Sequence, residues 1–236
     1  MVHRISVVIP TFNEEDNITA CLTSLCNQTI PRSDYELIVV DGGSKDKTRE
    51  LAEKLADTVI IQTSKRVGGA RNDGAKLADA KILATTDADC IIPPEWLETV
   101  LAAFEKDDKI VQLYGTVTPL EPGLKFKFYL WLANQFSRLG YYTHTLYYTL
   151  GCNTAFVKEA YDSIGGYKCI DAGDDLEIAQ RMRKIGKVKF NPKMTVKFSM
   201  RRYVKFGTLK SLYIWLYIVL KGGKSDKYSY TGKTYK

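Results

Sequence analysis

Apolar residues come in short runs along the first half of the chain, each followed by a polar stretch and then by apolar positions at helical spacing. Ile5-Ser6-Val7-Val8-Ile9-Pro10 is a β-branched run that predicts a buried first strand. Asn13-Glu14-Glu15-Asp16 places acids at a helix start, and Ile18, Leu22, Leu25 and Cys26 follow at helical spacing. The same alternation predicts strands at Glu36–Val40, Thr58–Gln62, Lys81–Thr86 and Ile110–Leu113. It predicts helices over Asp46–Leu55, from Gly68-Gly69 through Ala78, and from Pro93-Pro94 through Phe104. Strands alternating with helices imply an α/β fold, a mostly parallel sheet with helices on both faces. Ligands of such sheets bind at the carboxyl ends of the strands. Polar residues gather there: Thr11-Phe12-Asn13-Glu14 after the first strand, Asp41 ending the second, and Asp87-Ala88-Asp89 ending the fourth. The pattern loosens after residue 115, and only the Lys/Ser/Tyr/Gly tail from Lys221 has low complexity.

Composition narrows the class. A chain of 236 residues suits one large domain or two tightly joined halves. With 45% hydrophobic and 26% charged residues it is neither disordered nor a small disulfide scaffold. A net charge of +7 favours a polyanionic partner: nucleic acid, an anionic membrane surface or a phosphorylated small molecule. The basic residues are spread, without an RNA-binding aromatic signature, so a nucleic-acid partner is not expected. The five cysteines form no C-x-x-C, and the only histidines are His3 and His144. That argues against structural zinc and a Ser-His-Asp hydrolase, and for reduced thiols in a cytoplasmic protein. The N-terminus has no signal-peptide pattern, since charged residues soon follow Ile5–Pro10.

Three motifs carry chemistry. In Asp87-Ala88-Asp89, two carboxylates just past a strand end can reach one hard cation and a sugar hydroxyl, and oxygen ligands favour Mn2+ or Mg2+ over zinc. The other reading is an ordinary polar turn. In Val40-Asp41-Gly42-Gly43-Ser44 an acid at a strand end can accept from a base N–H while glycines admit the ligand; Ser44 and Asp46 can equally be helix caps. Gly68-Gly69-Ala70-Arg71-Asn72 can bring Arg71 to a diphosphate at a helix start, or leave it solvated. No Walker P-loop or G-x-G-x-x-G is present, which removes ATPase and Rossmann dehydrogenase readings.

In order and spacing these segments resemble the family 2 glycosyltransferases of the GT-A fold. The match starts at Val7-Val8-Ile9-Pro10-Thr11-Phe12-Asn13-Glu14-Glu15. It continues through the Asp41 segment, Gly69-Ala70-Arg71-Asn72-Asp73-Gly74, Asp87-Ala88-Asp89 and Asp174-Asp175, covering roughly residues 4–200. The resemblance implies that Pro10, Thr11, Asn13 or Glu14, and Asp41 hold the nucleotide's base and ribose. It places Asp87 near the ribose and metal, and Asp89 on a metal bridging the diphosphate. Asp174-Asp175 stands where the family carries an acid pair, often Glu-Asp, and Asp175 takes the place of the catalytic base. Inverting transfer needs such a base and a metal to stabilise the leaving diphosphate. Asp175 also precedes the amphipathic stretch Ile178, Met182, Ile185, so it can be an N-cap instead. At a helix N-terminus a carboxylate is expected to stay ionised. Gly151-Cys152-Asn153-Thr154-Ala155 resembles the stretch lining the sugar site, with Asn153 either bonding the sugar or shaping a turn. Arg201-Arg202-Tyr203 lies where longer relatives carry Gln-x-x-Arg-Trp; its absence argues against a processive synthase, while Arg201 or Arg202 can still reach the diphosphate.

The expected organisation is a nucleotide-sugar-binding half (1–115), an acceptor-binding and catalytic half of the same domain (116–200), and a C-terminal amphipathic segment with a basic tail (201–236). Between Phe126 and Leu150 sit nine aromatics, and Leu212–Leu220 is a nine-residue apolar run flanked by Lys210 and Lys221. That run is too short to span a bilayer, which takes ~20 residues. Both segments suit a helix lying in the headgroup layer at the cytoplasmic face, or packing as core or dimer interface. The expected activity is therefore a metal-dependent inverting hexosyltransferase using a nucleoside-diphosphate sugar, with a polyprenyl phosphate or lipid-linked glycan as acceptor. A soluble glycan or protein acceptor, or a non-catalytic nucleotide-binding scaffold, is the alternative.

Overall fold

A computed structural model of the chain describes residues 3–143, 150–170, 172–207, 210–211, 213–214 and 216–217. Strands β1 (Ile5–Thr11), β2 (Tyr35–Asp41), β3 (Thr58–Ile61) and β4 (Ile82–Thr85) pair in parallel, with β1 between β2 and β4. Every residue of β1 and β2 is buried, as strands covered on both faces require. Their alternation sorts side chains into two layers: Val7, Ile9, Leu37 and Val39 face one, Val8, Ile38 and Val40 the other. Helices α1 (Ile18–Cys26), α2 (Thr48–Ala52) and, farther on, α4 (Trp96–Lys106) close the first layer, and α3 (Arg66–Leu77) closes the second. Ile18, Cys21, Leu22 and Leu25 are the buried stripe of α1.

Several elements differ from their expected boundaries. Helix α2 is five residues long, because Asp46 stays outside it and accepts a hydrogen bond from the Thr48 N–H at 3.0 Å. Helix α3 starts at Arg66, ahead of the paired glycines, so Arg71 lies within the helix and not at its start. Strand β5 (Cys90–Ile91) is too short to leave a periodic trace, and β6 (Ile110–Pro119) runs well past Leu113.

The second half of the chain completes the same sheet through α5 (Leu124–Thr143), β7 (Thr154–Val157), α6 (Lys158–Ser163), α7 (Asp174–Ile185), β8 (Lys187–Phe198) and α8 (Arg201–Phe206). The strand order is β3-β2-β1-β4-β7-β6-β8-β5. Strand β7 lies antiparallel between β4 and β6, β8 runs parallel to β6, and the end of β8 pairs antiparallel with β5. Helix α7 buries Ile178, Ala179 and Met182 in the second layer, and α5 buries Phe126 and Leu130 in the first. Among the described residues no helix is long and apolar enough to cross a membrane. Of the C-terminal apolar run, Leu212, Trp215 and 218–220 lie outside the described residues, as do Tyr147, Tyr148 and the tail from Lys221.

Candidate active site

The carboxyl ends of β1 and β2 carry two loops that hold each other. The Asp41 carboxylate is 2% exposed and accepts from the Ser44 hydroxyl and the Ser44 N–H. The Ser44 hydroxyl in turn accepts from the Asn13 N–H at 2.8 Å, and Asn13 Oδ1 accepts from the Lys45 N–H at 2.9 Å. Asn13 adopts a left-handed backbone (φ 53°), which asparagine tolerates better than other non-glycine residues. The Thr11 and Thr86 hydroxyls, buried at the ends of β1 and β4, have no hydrogen-bond partner among the described residues. A buried hydroxyl left so costs ~1–3 kcal/mol, which a polar ligand between these strands would recover. Pro10 is buried within β1.

Arg71, expected either beside a diphosphate or in solvent, is buried and not solvated. Its guanidinium is buried among three carboxylates: Nη2 donates to Asp87 Oδ1 at 2.8 Å, Nη1 to Asp174 Oδ2 at 3.3 Å, and Asp175 Oδ1 lies 3.8 Å from Nη1. Nε donates to Thr85 Oγ1 at 3.1 Å, and the Tyr167 ring lies 5.2 Å from Cζ. The group therefore reaches out of α3 to join the end of β4 to the start of α7. No local pattern marks Tyr167, whose ring approaches Arg71 only through the fold.

The acid pair opens α7 without capping it. The N-cap is Gly173, left-handed at φ 80°, which an L side chain adopts only under strain. Asp174 and Asp175 are the first residues of the helix. The Asp174 side chain is 8% exposed and the Asp175 side chain 24%, so Asp175 is the one open to a ligand. The helix terminus does not keep Asp175 at an ordinary value: burial, then the neighbouring Asp174 charge, push it up to about 8 against the pull of Arg71. Burial raises Asp174 too. Gly151 lies against this cluster, where a Cβ would fall 2.5 Å from Asp175 Oδ1 and 2.6 Å from Arg71 Nη2. The Gly151 backbone also favours the ionised form of Asp175.

Asp89 belongs to a separate charged group on the rim. Arg201, at the start of α8, donates from Nη2 to Glu14 and lies 3.2 Å from Asp89 Oδ2. Glu14 Oε2 also accepts from Asn17 at 2.8 Å. The Arg202 side chain lies outside the described residues. Asn153, read as either a sugar contact or a turn residue, is held inside the fold. It is fully buried, donates to the Thr116 and Met194 carbonyls at 2.7 and 2.8 Å, and accepts from Trp96 Nε1 at 2.8 Å. Its amide is built into the junction of β6, β8 and α4. A further set of ligand-type groups, His3, Glu36 and Asp79, sits at the opposite, amino end of the strands. There Glu36 accepts from Ser6 Oγ and the Asp79 N–H, and His3 Nδ1 lies 2.9 Å from Asp79.

Comparison with known proteins fits this geometry. Residues 6–165 match the family model for glycosyl transferase family 2. The glycosyltransferase AglE of Haloferax volcanii is 39% identical over 100 residues, which are 40% of this chain and 33% of that protein. A Methanococcus voltae relative, described as a dolichyl N-acetyl-alpha-D-glucosaminyl phosphate 3-beta-D-2,3-diacetamido-2,3-dideoxy-beta-D-glucuronosyltransferase, is 26% identical and covers 89% of this chain and 74% of its own. Among solved structures, the mannosyltransferase PcManGT from Pyrobaculum calidifontis, in complex with GDP-Man and Mn2+, superposes with a TM-score of 0.66 at 20% identity, covering 98% of this chain and 65% of that one. The match thus spans about a third of the length of the Haloferax relative, while the GT-A architecture extends over nearly the whole chain. On the family match and the shared architecture, the chain belongs to glycosyl transferase family 2.

Proposed function

We propose that the chain is an inverting glycosyltransferase that moves one sugar from a nucleoside-diphosphate donor to a polyprenyl phosphate or lipid-linked glycan. The observation that carries this is the Arg71 cluster, in which one buried guanidinium fixes Asp87 on the donor side and the Asp174-Asp175 pair on the acceptor side. Residues 1–115 supply the donor loops and 116–200 the acid pair and acceptor side. Asp41 and the Thr11–Glu14 loop face the base and ribose, with the two partnerless threonine hydroxyls beside them. Asp175, the more open acid, takes the proton of the attacking hydroxyl, and Asp174 and Arg71 hold it in place. The Methanococcus relative, whose name includes a dolichyl-linked phosphate, supports a lipid-linked acceptor.

Asp87 and Asp89 are hard oxygen ligands of the kind Mn2+ and Mg2+ prefer, and the cationic Arg201 stands against Asp89 as a charge stand-in. The PcManGT neighbour holds Mn2+ with its donor. Asp89, with Asp87, would hold the ion, which when bound supplies positive charge to the leaving diphosphate. Asp89→Ala is expected to abolish the Mn2+-dependent part of UDP or GDP affinity in calorimetry while leaving the melting temperature unchanged. Equal affinity with and without Mn2+ in the wild-type chain removes the metal from the proposal. Because Arg201 competes for the same carboxylate, Arg201→Ala is expected to tighten Mn2+ binding to the donor-free chain several-fold, an effect of the size of one exposed charge contact. Unchanged or weaker binding by that variant refutes the competition. A hydrolysis screen over nucleotide sugars tests the activity itself, and a donor that binds but never turns over returns the nucleotide-binding scaffold reading.

A further inference from the structure

Helix α5 presents two different faces. Phe126, Leu130, Ser137 and Gly140 are buried against the sheet. On the other side Leu124 is 85% exposed, and Phe128, Trp131, Leu132, Phe136, Leu139 and Tyr142 are exposed with it. At 3.6 residues per turn these seven outward positions fall within an arc of about 140° and run the full length of the helix, ~30 Å. Phe128 and Trp131 stack on each other at 6.0 Å within the stripe. Soluble proteins seldom leave such a stripe without a partner.

We infer that this outward face of α5 is a docking surface for an anionic lipid bilayer. Charge selects that occupant: between Leu124 and Thr143 the helix carries Lys125, Lys127 and Arg138 and no acidic residue, and all three cations are exposed. On the helical wheel Lys127 and Arg138 line one margin of the apolar arc and Lys125 lies near the other, which is how an interfacial helix meets acyl chains and headgroups at once. A second copy of the chain is the weaker fit. A helix stripe ~30 Å long and ~10 Å wide offers on the order of 300 Å², against the ~800 Å² per partner of a standard interface.

The position of α5 adds a reason for it to meet lipid. Strand β5 follows directly on Asp89 and pairs through Cys90 with Phe198 of β8, which pairs with Pro119 at the end of β6. The chain then enters α5 five residues later, at Leu124. The helix therefore starts at the rim that carries Asp89 and Arg201. Laid on a bilayer, it sets that rim at the headgroup level, where the phosphate or sugar of a lipid-linked acceptor lies. The inference rests on the lipid-linked reading for its purpose, but the contact can be measured without any turnover.

The test is flotation of the full 236-residue chain with vesicles of phosphatidylcholine and phosphatidylglycerol in equal parts, and of phosphatidylcholine alone, at low salt. The wild-type chain is expected to float with the anionic vesicles and not with the neutral ones. Phe128→Glu/Trp131→Glu/Leu139→Glu is expected to reduce the bound fraction at least ~10-fold at an unchanged melting temperature, since the three positions face outward. Should that triple variant melt early, Lys127→Glu/Arg138→Glu alters only exposed charge and is expected to give a loss of similar size. The inference is overturned if the wild-type chain stays unbound, if it floats equally with neutral vesicles, or if well-folded variants float as it does. It is overturned too if light scattering shows a wild-type dimer that the triple variant splits, because the stripe then belongs to a second copy.

Discussion

Asp175→Asn is expected to lower turnover by about 10²–10⁴-fold, the range a positioned base contributes, with nucleoside diphosphate affinity near wild type. Gly173, not Asp175, terminates the helix, so the variant keeps the start of α7 intact. The pH profile separates a base from a bystander. Asp175 is pushed up to about 8 by burial and then by Asp174, and a base acts only when ionised. Wild-type turnover should therefore rise about tenfold per pH unit below that value and level off above it. Stability should run the other way. The folded value lies above the ordinary 3.8, so the stability from the protonated form is complete below 3.8 and is lost as pH rises through about 8. The melting temperature of the donor-free chain should fall across that interval, and less steeply in Asp175→Asn. A profile flat between about pH 6 and pH 9, or a rise that survives in the asparagine variant, removes Asp175 from the chemistry.

Arg71→Met is the second large effect. Methionine fills a similar volume but leaves Asp87, Asp174 and Asp175 without their shared cation. Removing one partner from a buried ionic group costs about 3–5 kcal/mol, readable as a shift in chemical denaturation. Turnover should fall as well, because Asp175 loses the Arg71 charge, which favours its ionised form. Arg71→Lys restores charge without the fork that reaches Thr85, Asp87 and Asp174 together, so it should recover part of the stability and little of the activity. A methionine variant as stable as wild type would mean that the three acids share protons rather than rely on Arg71.

Much of this was legible in the residues. The β1 and β2 runs, the alternation that divides them between two layers, and the carboxylates at the ends of β2 and β4 all follow from local pattern. The Gly69–Gly74 segment was recognisable, but its meaning was not. Asn72 pins the Tyr161–Tyr167 region by accepting from the Tyr161 hydroxyl and the Tyr167 N–H. Asp73 accepts from Thr63 and Ser64, whose hydrogen bonds hold it well below the usual carboxylate range. Arg71 turns inward to acids more than a hundred positions away in sequence. Each of these roles depends on a partner that only the folded chain brings near, and a spacing rule cannot see it. Asn153 was ambiguous for the same reason, since a buried structural amide and a sugar-binding one share a local signature. After residue 115 the strands alternate in direction, so the simple strand–helix rhythm that made the first half readable stops.

The insertion of β7 between β4 and β6 bears on how the chain acquires its shape during synthesis. Strands β1 to β4 leave the ribosome first and can pair at once, yet one edge of β4 has no neighbour until Thr154–Val157 appears. Exposed strand edges recruit other chains, and domains made this way stay vulnerable until the late segment arrives. Strand β7 therefore acts as a latch. A ribosome stalled before residue 154 would release the first four strands with an open, adhesive border. Supplying the missing half as a separate polypeptide would have to deliver that one strand into the gap before anything else could close.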